Sequence, residues 1–233
     1  MKGTSALTLI FSAAFAVFFV GPPFLGKPFG PYPLMHVADV FDILTPLVLL
    51  PLYWLLFNAG RKQPPTVRWM VLFFVLTALW ASGQGMHLSA NSISNLMKGM
   101  EGTDVFSLSH FYDEVLSHYI WHVGVVGLST AVIVRHWRDP VTEARSPAWP
   151  IMVAGLIHGF TFFVIVIEAG TTPLGITFSA LATLFALVWG RKRFNQQPVA
   201  AFFLISYAVA TLFFIGWGLY WQGFPQFGEV GII

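Results

Sequence analysis

The sequence contains no cysteine among its 233 residues. Disulfide bonds, covalently attached c-type haem, iron–sulfur clusters and thiolate metal sites all require cysteine and are therefore excluded. Histidine and carboxylate side chains are the strong metal ligands that remain. The chain has seven histidines and ten acidic residues that could supply them.

Charged residues are also scarce, at 9% of the chain, whereas 56% of the residues are hydrophobic. Soluble proteins carry about 25% charged residues, so this composition indicates an integral membrane protein. The net charge of +2 is too small, and too concentrated in short loops, to suggest nucleic-acid binding. No lysine lies inside a predicted membrane span, which disfavours a retinal protein.

Long apolar runs recur along the whole chain, and about 20 helical residues cross the hydrocarbon core of a bilayer. The sequence therefore predicts an all-α integral membrane bundle of about seven transmembrane helices, forming one domain over residues 1–233. The predicted spans are 5–21, 37–58, 68–91, 111–134, 149–168, 173–190 and 199–221. The first run begins like a signal peptide, but it has membrane length and lacks a clear cleavage site, so we expect it to be retained.

Basic residues concentrate in alternate loops. The loops after the second, fourth and sixth predicted spans carry Arg61, Lys62, Arg68, Arg135, Arg138, Arg145, Arg191, Lys192 and Arg193. Because positively charged loops face the cytoplasm, we expect a cytoplasmic amino terminus and an extracytoplasmic carboxyl terminus. The expected location is the plasma membrane of a bacterium or archaeon.

Polar side chains concentrate in the outer half of predicted spans two to five. Ionisable residues at membrane depth are costly and usually face a cavity or one another. The sequence therefore predicts an outward-facing polar cavity. Its candidate residues are Asp39, Asp42, Gln84, His87, Asp113, Glu114, His118 and His122, with His158 near the middle of span five and Glu168 at its end.

Three of these polar positions share a simple spacing with His110. His110, Glu114, His118 and His122 recur at every fourth residue, which predicts one stripe along a helix. Two histidines four residues apart can give a single metal ion two imidazole nitrogens from one helix. We therefore predict that His118 and His122 are metal ligands.

Neighbouring helices would complete this metal site. His87 is the expected third ligand, and the candidate carboxylates are Asp39, Asp42, Asp113 and Glu114. A zinc ion with three protein ligands keeps one position for water and makes that water a nucleophile near neutral pH. With Glu114 as general base, the site would support hydrolysis of a lipid or another amphipathic small molecule, which can enter sideways from the membrane.

The segment His-Tyr-Ile-Trp-His at 118–122, with Ser82 preceding His87 on another span, resembles the alkaline ceramidase and progestin/adipoQ receptor superfamily. The resemblance implies seven spans and a zinc ion held by three histidines, here His87, His118 and His122. It also implies that Ser82 and Asp113 are supporting polar groups, and several members of the superfamily hydrolyse lipid amides. The histidine pair of that family lies on the last span, whereas here it lies on the fourth.

Redox chemistry and transport are the alternative functions. Two imidazoles from different helices, such as His158 with His87 or His122, could hold a b-type haem. Imidazole also suits copper and iron, and additional carboxylates would suit a dinuclear iron site. Intramembrane Asp, Glu and His side chains relay protons or bind ions in transporters, although this sequence lacks the two-half symmetry of many transporters.

Overall fold

The computed structural model describes residues 2–61, 63–97, 99–139, 148–188 and 194–232. Most of them are helical, and the helices are α1 Lys2–Val20, α2 Val37–Asn58, α3 Val67–Leu96, α4 Asp104–His110, α5 His118–Arg138, α6 Ala148–Glu168, α7 Thr172–Val188 and α8 Pro198–Trp221. Short 3-10 turns lie at Pro22–Phe24 and Phe194–Gln196. Several basic residues used to predict the orientation lie outside the described residues, namely Lys62, Arg145, Arg191, Lys192 and Arg193.

Six helices of the described chain are long and apolar enough to cross a membrane. They include α1, α2, α3, α6 and α8, and the sixth is one long helix, Asp104–Arg138, which contains α4 and α5. Helix α7 is apolar but shorter, with 17 residues. Several long apolar helices are the mark of an integral membrane protein, so the helical class and the membrane character agree with the sequence analysis.

A π-helical segment, Phe111–Ser117, joins α4 to α5. Its hydrogen bonds run from residue i to i+5, so it holds an additional residue per turn and rotates the side chains that follow. The predicted stripe with a four-residue period is interrupted as a result. His110 is exposed, whereas His118 and His122 are buried.

A two-stranded antiparallel hairpin, β1 Pro28–Phe29 and β2 Tyr32–His36, connects α1 to α2. In the described part of the chain it is the one departure from a purely helical fold. The backbone N–H of His36 donates a hydrogen bond of 2.7 Å to Asp39 Oδ2. This bond caps the first turn of α2 and fixes where that helix begins.

Helices α3 and α5 pack closely because each presents a glycine to the backbone of the other. A Cβ atom at Gly83 would lie 2.5 Å from the backbone N of Trp121, and one at Gly124 would lie 2.8 Å from the backbone N of Trp80. Small residues allow helix backbones to approach in membrane proteins. The close approach at Gly83 brings the later turns of α3 against the π-helical segment.

The interior is one continuous cluster of buried hydrophobic side chains. It receives residues from α1, α2, α3, α5, α6, α7 and α8. Aromatic rings make up much of it, and Trp80 and Tyr53 are fully buried there. The polar residues of the next section lie at one end of this cluster.

Candidate functional site

A cavity of about 590 Å³ lies at the end of the bundle where α1 ends and α2 begins. The final turns of α1 and α6 line it, together with the first turns of α2, the second half of α3 and the middle of the helix Asp104–Arg138. The carboxyl-terminal segment adds Phe227 and Ile232. Cavities of this volume are typical of small-molecule sites.

The wall of the cavity has a polar part and an apolar part. The polar residues come from the four helices that correspond to predicted spans two to five, and they are Asp39, Asp42, Gln84, His87, Asn91, Glu114, His118 and Glu168. The apolar part includes Phe18, Phe19, Val20, Phe24, Phe160, Val164 and Ile165. A molecule with a polar head and an apolar body matches this division.

His87 on α3 contacts Asp113 in the π-helical segment, with Nδ1 and Oδ1 2.9 Å apart. The Asp113 side chain is 4% exposed and that of His87 is 22% exposed. The ring N–H is not aligned with the carboxylate oxygen as a regular hydrogen bond requires. The contact is therefore an ion pair whenever His87 is protonated, and His87 is the member of the pair that lines the cavity.

Gln84 and Asp42 form a second pair across α2 and α3. The Gln84 Nε2 group donates a hydrogen bond of 3.2 Å to Asp42 Oδ1. Gln84 is 3% exposed, and both residues line the cavity. The pair fixes the position of the Asp42 carboxylate one turn deeper than Asp39.

His118 lies beside His87, with ring centroids 4.7 Å apart. Its Nδ1 is 3.0 Å from the backbone carbonyl oxygen of Glu114, which acts as acceptor, and 4.0 Å from Glu114 Oε2. The carbonyl can only accept, so Nδ1 carries the proton in the neutral ring. The Glu114 side chain is 40% exposed and lines the cavity.

His122 has a different environment from His118. Its Nδ1 is 2.7 Å from the hydroxyl oxygen of Thr171, and its ring stacks on Trp121 with centroids 4.4 Å apart. His122 is 1% exposed and is not among the residues that line the cavity. The second histidine of the predicted pair therefore lies behind the cavity wall.

His158 is enclosed by aromatic side chains in the core. Ring centroids of Phe15 and Phe11 lie 4.4 and 5.5 Å from its own, and Phe202, Phe203 and Tyr207 surround it further. It is fully buried and does not line the cavity. A haem ligated by His158 would have to displace these rings.

Ser82 also lies apart from the other candidates. It is exposed on the surface of α3 and is not among the cavity residues. The next residue, Gly83, faces α5, whereas Ser82 lies about 100° around the helix from it. The serine that supports the family resemblance is therefore not brought to the polar cluster.

The three histidines predicted to bind zinc are not gathered around one point, because His87 and His118 are adjacent whereas His122 bonds to Thr171. Across the described ranges, no group of three or more His, Asp or Glu side chains is arranged to hold a metal ion. The residues as arranged thus do not fit a three-histidine zinc site. His87 and His118 remain adjacent on the polar wall, with the carboxylates of Asp113 and Glu114 beside them.

Three features of the site were not anticipated from the sequence. The sequence does not predict that Thr171 bonds to His122, or that the carboxyl-terminal residues Phe227 and Ile232 line the cavity. Trp121 also lines it, and its indole N–H has no acceptor among the described residues. The sequence could have indicated a site role for Trp121, because this residue lies between His118 and His122.

Comparison of the chain with protein-family models, with curated proteins and with solved structures found no match.

Proposed function

We propose that the chain crosses the membrane seven times, with its amino terminus in the cytoplasm and its carboxyl terminus outside. Arg61, which follows α2, is 3.3 Å from Asp139, which follows α5, and its Nη2 donates to the carbonyl of Arg135. Basic residues thus lie together at the end of the bundle remote from the cavity, which the positive-inside rule places in the cytoplasm. Helix α7 is short, but its 17 residues reach the lower limit for a span.

The proposed activity is hydrolysis of an amphipathic, lipid-like ester or amide in the cavity, with His87 as the general base. The observation that carries this proposal is the 2.9 Å contact between His87 and the buried carboxylate of Asp113 at the polar wall of a cavity whose other wall is apolar. A buried carboxylate beside an imidazole stabilises the imidazolium that forms when the base takes a proton.

In the proposed reaction His87 takes a proton from a water molecule, whose oxygen forms a bond to the carbonyl carbon. The imidazolium then gives that proton to the leaving oxygen or nitrogen as its bond to carbon breaks. The indole N–H of Trp121, which lacks an acceptor among the described residues, is a candidate donor to the carbonyl oxygen as negative charge develops there.

The test is hydrolysis of a panel of single-chain esters and amides by the purified protein. His87→Gln should lower the rate by about 10² to 10⁴-fold, the usual contribution of a general base. His110→Gln is the matched control. This histidine lies on the helix Asp104–Arg138, which also supplies cavity residues, but it is exposed and does not line the cavity. Equal rates in wild type and His87→Gln would refute the mechanism.

A metal-dependent form of this hydrolysis is the second candidate. The observation that favours it is the Asp113 carboxylate, which lies 2.9 Å from His87 Nδ1. Histidines that bind a metal through one ring nitrogen usually direct the N–H of the other towards such a group. Because no three ligands are already gathered in the described part of the chain, His87 and His118 would have to be drawn together with Glu114 or Asp42 to hold the ion, most simply zinc, with iron or copper as alternatives. When bound, the metal would supply an activated water.

Elemental analysis distinguishes the two forms. For the metal-dependent form, the purified wild type should contain near-stoichiometric metal that is lost in His87→Ala and in His118→Ala. His122→Ala should keep it, because His122 is bonded to Thr171 behind the cavity wall. The same low metal content in wild type and all three variants would leave the metal-free mechanism as the proposal.

A further inference from the structure

The charged groups on the cavity wall are mostly of one sign. Asp39, Asp42, Glu114 and Glu168 line the cavity, and none of the described lining residues is lysine or arginine. Neutral groups are hydrogen-bonded to three of these carboxylates: a backbone N–H to Asp39, the amide of Gln84 to Asp42 and the backbone N–H of Phe227 to Glu168. A low-dielectric cleft lined with negative charge attracts cations.

An independent observation is the unused acceptor on Gln84. The side chain is 3% exposed and lines the cavity, and its Oε1 atom has no hydrogen-bond partner in the described part of the chain. Because an ionised carboxylate can only accept, the Nε2 atom must be the one that faces Asp42. Gln84 Oε1 is therefore an acceptor that a ligand's hydrogen-bond donor can satisfy.

The remainder of the wall suits an apolar chain and a cationic head. Phe18, Phe19 and Trp121 line the cavity, and aromatic faces attract ammonium groups. Val164, Ile165 and Phe227 provide aliphatic and aromatic surface further along the wall. A metal ion would use the carboxylates but would leave this apolar surface without a partner.

We infer that the cavity selects amphipathic amines, which are molecules with a protonated amino head and an apolar tail. The ammonium group donates hydrogen bonds to Gln84 Oε1 and to the Asp42 carboxylate, and the tail lies along α1 and α6. This inference deepens the proposed hydrolysis, on which it rests for the reaction: the substrate would be an ester or amide that carries such a head.

The experiment measures binding to the full chain in phosphatidylcholine nanodiscs, with empty nanodiscs to subtract partition into lipid. Radiolabelled dodecylamine is compared with dodecanol and dodecanoate, which share its chain length and differ in the head. We expect the amine to bind at least about tenfold more tightly than either, as one charge-assisted hydrogen bond would provide. Equal binding of the three probes overturns the inference, and this comparison requires no variant.

Variants then locate the binding site. Asp42→Asn should weaken dodecylamine binding by about tenfold and leave dodecanol binding unchanged, and Glu114→Gln serves as a second variant at a half-exposed position. Glu101→Gln is the matched control, because Glu101 is exposed and does not line the cavity. Melting temperatures establish that each variant is folded. Unchanged amine binding in both cavity variants overturns the inference.

The outcomes separate this inference from the proposed hydrolysis. Selective amine binding without turnover of any amine-bearing ester or amide would refute the hydrolysis and keep the inference. Hydrolysis of neutral esters with no preference for amines would refute the inference and keep the hydrolysis.

Discussion

Asp113, and not its neighbour Glu114, is the carboxylate that contacts His87, with Oδ1 and Nδ1 2.9 Å apart. Asp113 lies within the π-helical segment Phe111–Ser117 and is buried there. Glu114 lines the cavity and is half-exposed there. Two adjacent carboxylates thus have different surroundings and different expected roles.

Asp113→Asn tests the role of the buried carboxylate. The substitution keeps the size of the side chain but removes its charge, so the imidazolium of His87 loses its stabilising partner. We expect the hydrolysis rate to fall by about 10²-fold with little change in KM. Asp104→Asn, at an exposed position outside the cavity, should have wild-type kinetics. A change in KM alone would show that Asp113 acts in binding and not on the base.

The close approach of α3 and α5 predicts a large difference between two nearby glycines. A Cβ atom at Gly83 would lie 2.5 Å from the backbone of Trp121, whereas one at Gly85 would meet nothing within 4 Å. Gly83→Ala should destabilise the protein by about 1–3 kcal/mol, since the helices must separate. Gly85→Ala should be neutral or stabilising by up to about 1 kcal/mol, because alanine favours helices. Thermal unfolding in detergent measures both, and equal stabilities would contradict the packing described above.

Substitution of His158 tests whether this residue is a core side chain or a haem ligand. It is fully buried among aromatic rings, and neither ring nitrogen has a hydrogen-bond partner among the described residues. His158→Leu removes a buried polar group without a partner, so we expect stability to be unchanged or raised by up to about 2 kcal/mol. Thermal unfolding and a visible spectrum check this expectation. A coloured wild type that loses its colour in His158→Leu would instead identify a haem ligand.

The proposed orientation predicts which introduced cysteines react from outside. The native chain has no cysteine, so single substitutions need no altered background. Glu101→Cys and Gln63→Cys place a thiol at exposed positions at opposite ends of α3. A membrane-impermeant maleimide should label Glu101→Cys in intact cells and Gln63→Cys only after the membrane is opened. The reverse pattern would invert the proposed topology.

The sequence predicted the helices well because hydrophobic runs of membrane length leave few alternatives. Span 37–58 coincides with Val37–Asn58, and span 199–221 begins one residue after α8 does. The sequence also predicts that polar residues from four helices lie together. This prediction requires only the depth of each polar residue along its helix. Depth requires only the rise per residue, which varies little.

The contacts between individual side chains were harder to predict from the sequence. The predicted stripe with a four-residue period assumes a regular α-helix. No residue in Phe111–Ser117 indicates that this segment is π-helical. The position of Thr171 beside His122 depends on how α5 packs against the start of α7, which a single sequence does not specify. His158 lies near the middle of α6, and its neighbours are aromatic rings from α1 and α8.

The last described residues of the chain fold back onto α6. Gln226 Nε2 donates to the Glu168 carbonyl, the backbone N–H of Phe227 donates to Glu168 Oε2, and both Phe227 and Ile232 line the cavity. An affinity tag or fluorescent protein joined directly after Ile232 would therefore begin beside the cavity and compete with its ligands for space. Reporters for purification and binding work belong at the amino end, where α1 begins at the opposite end of the bundle.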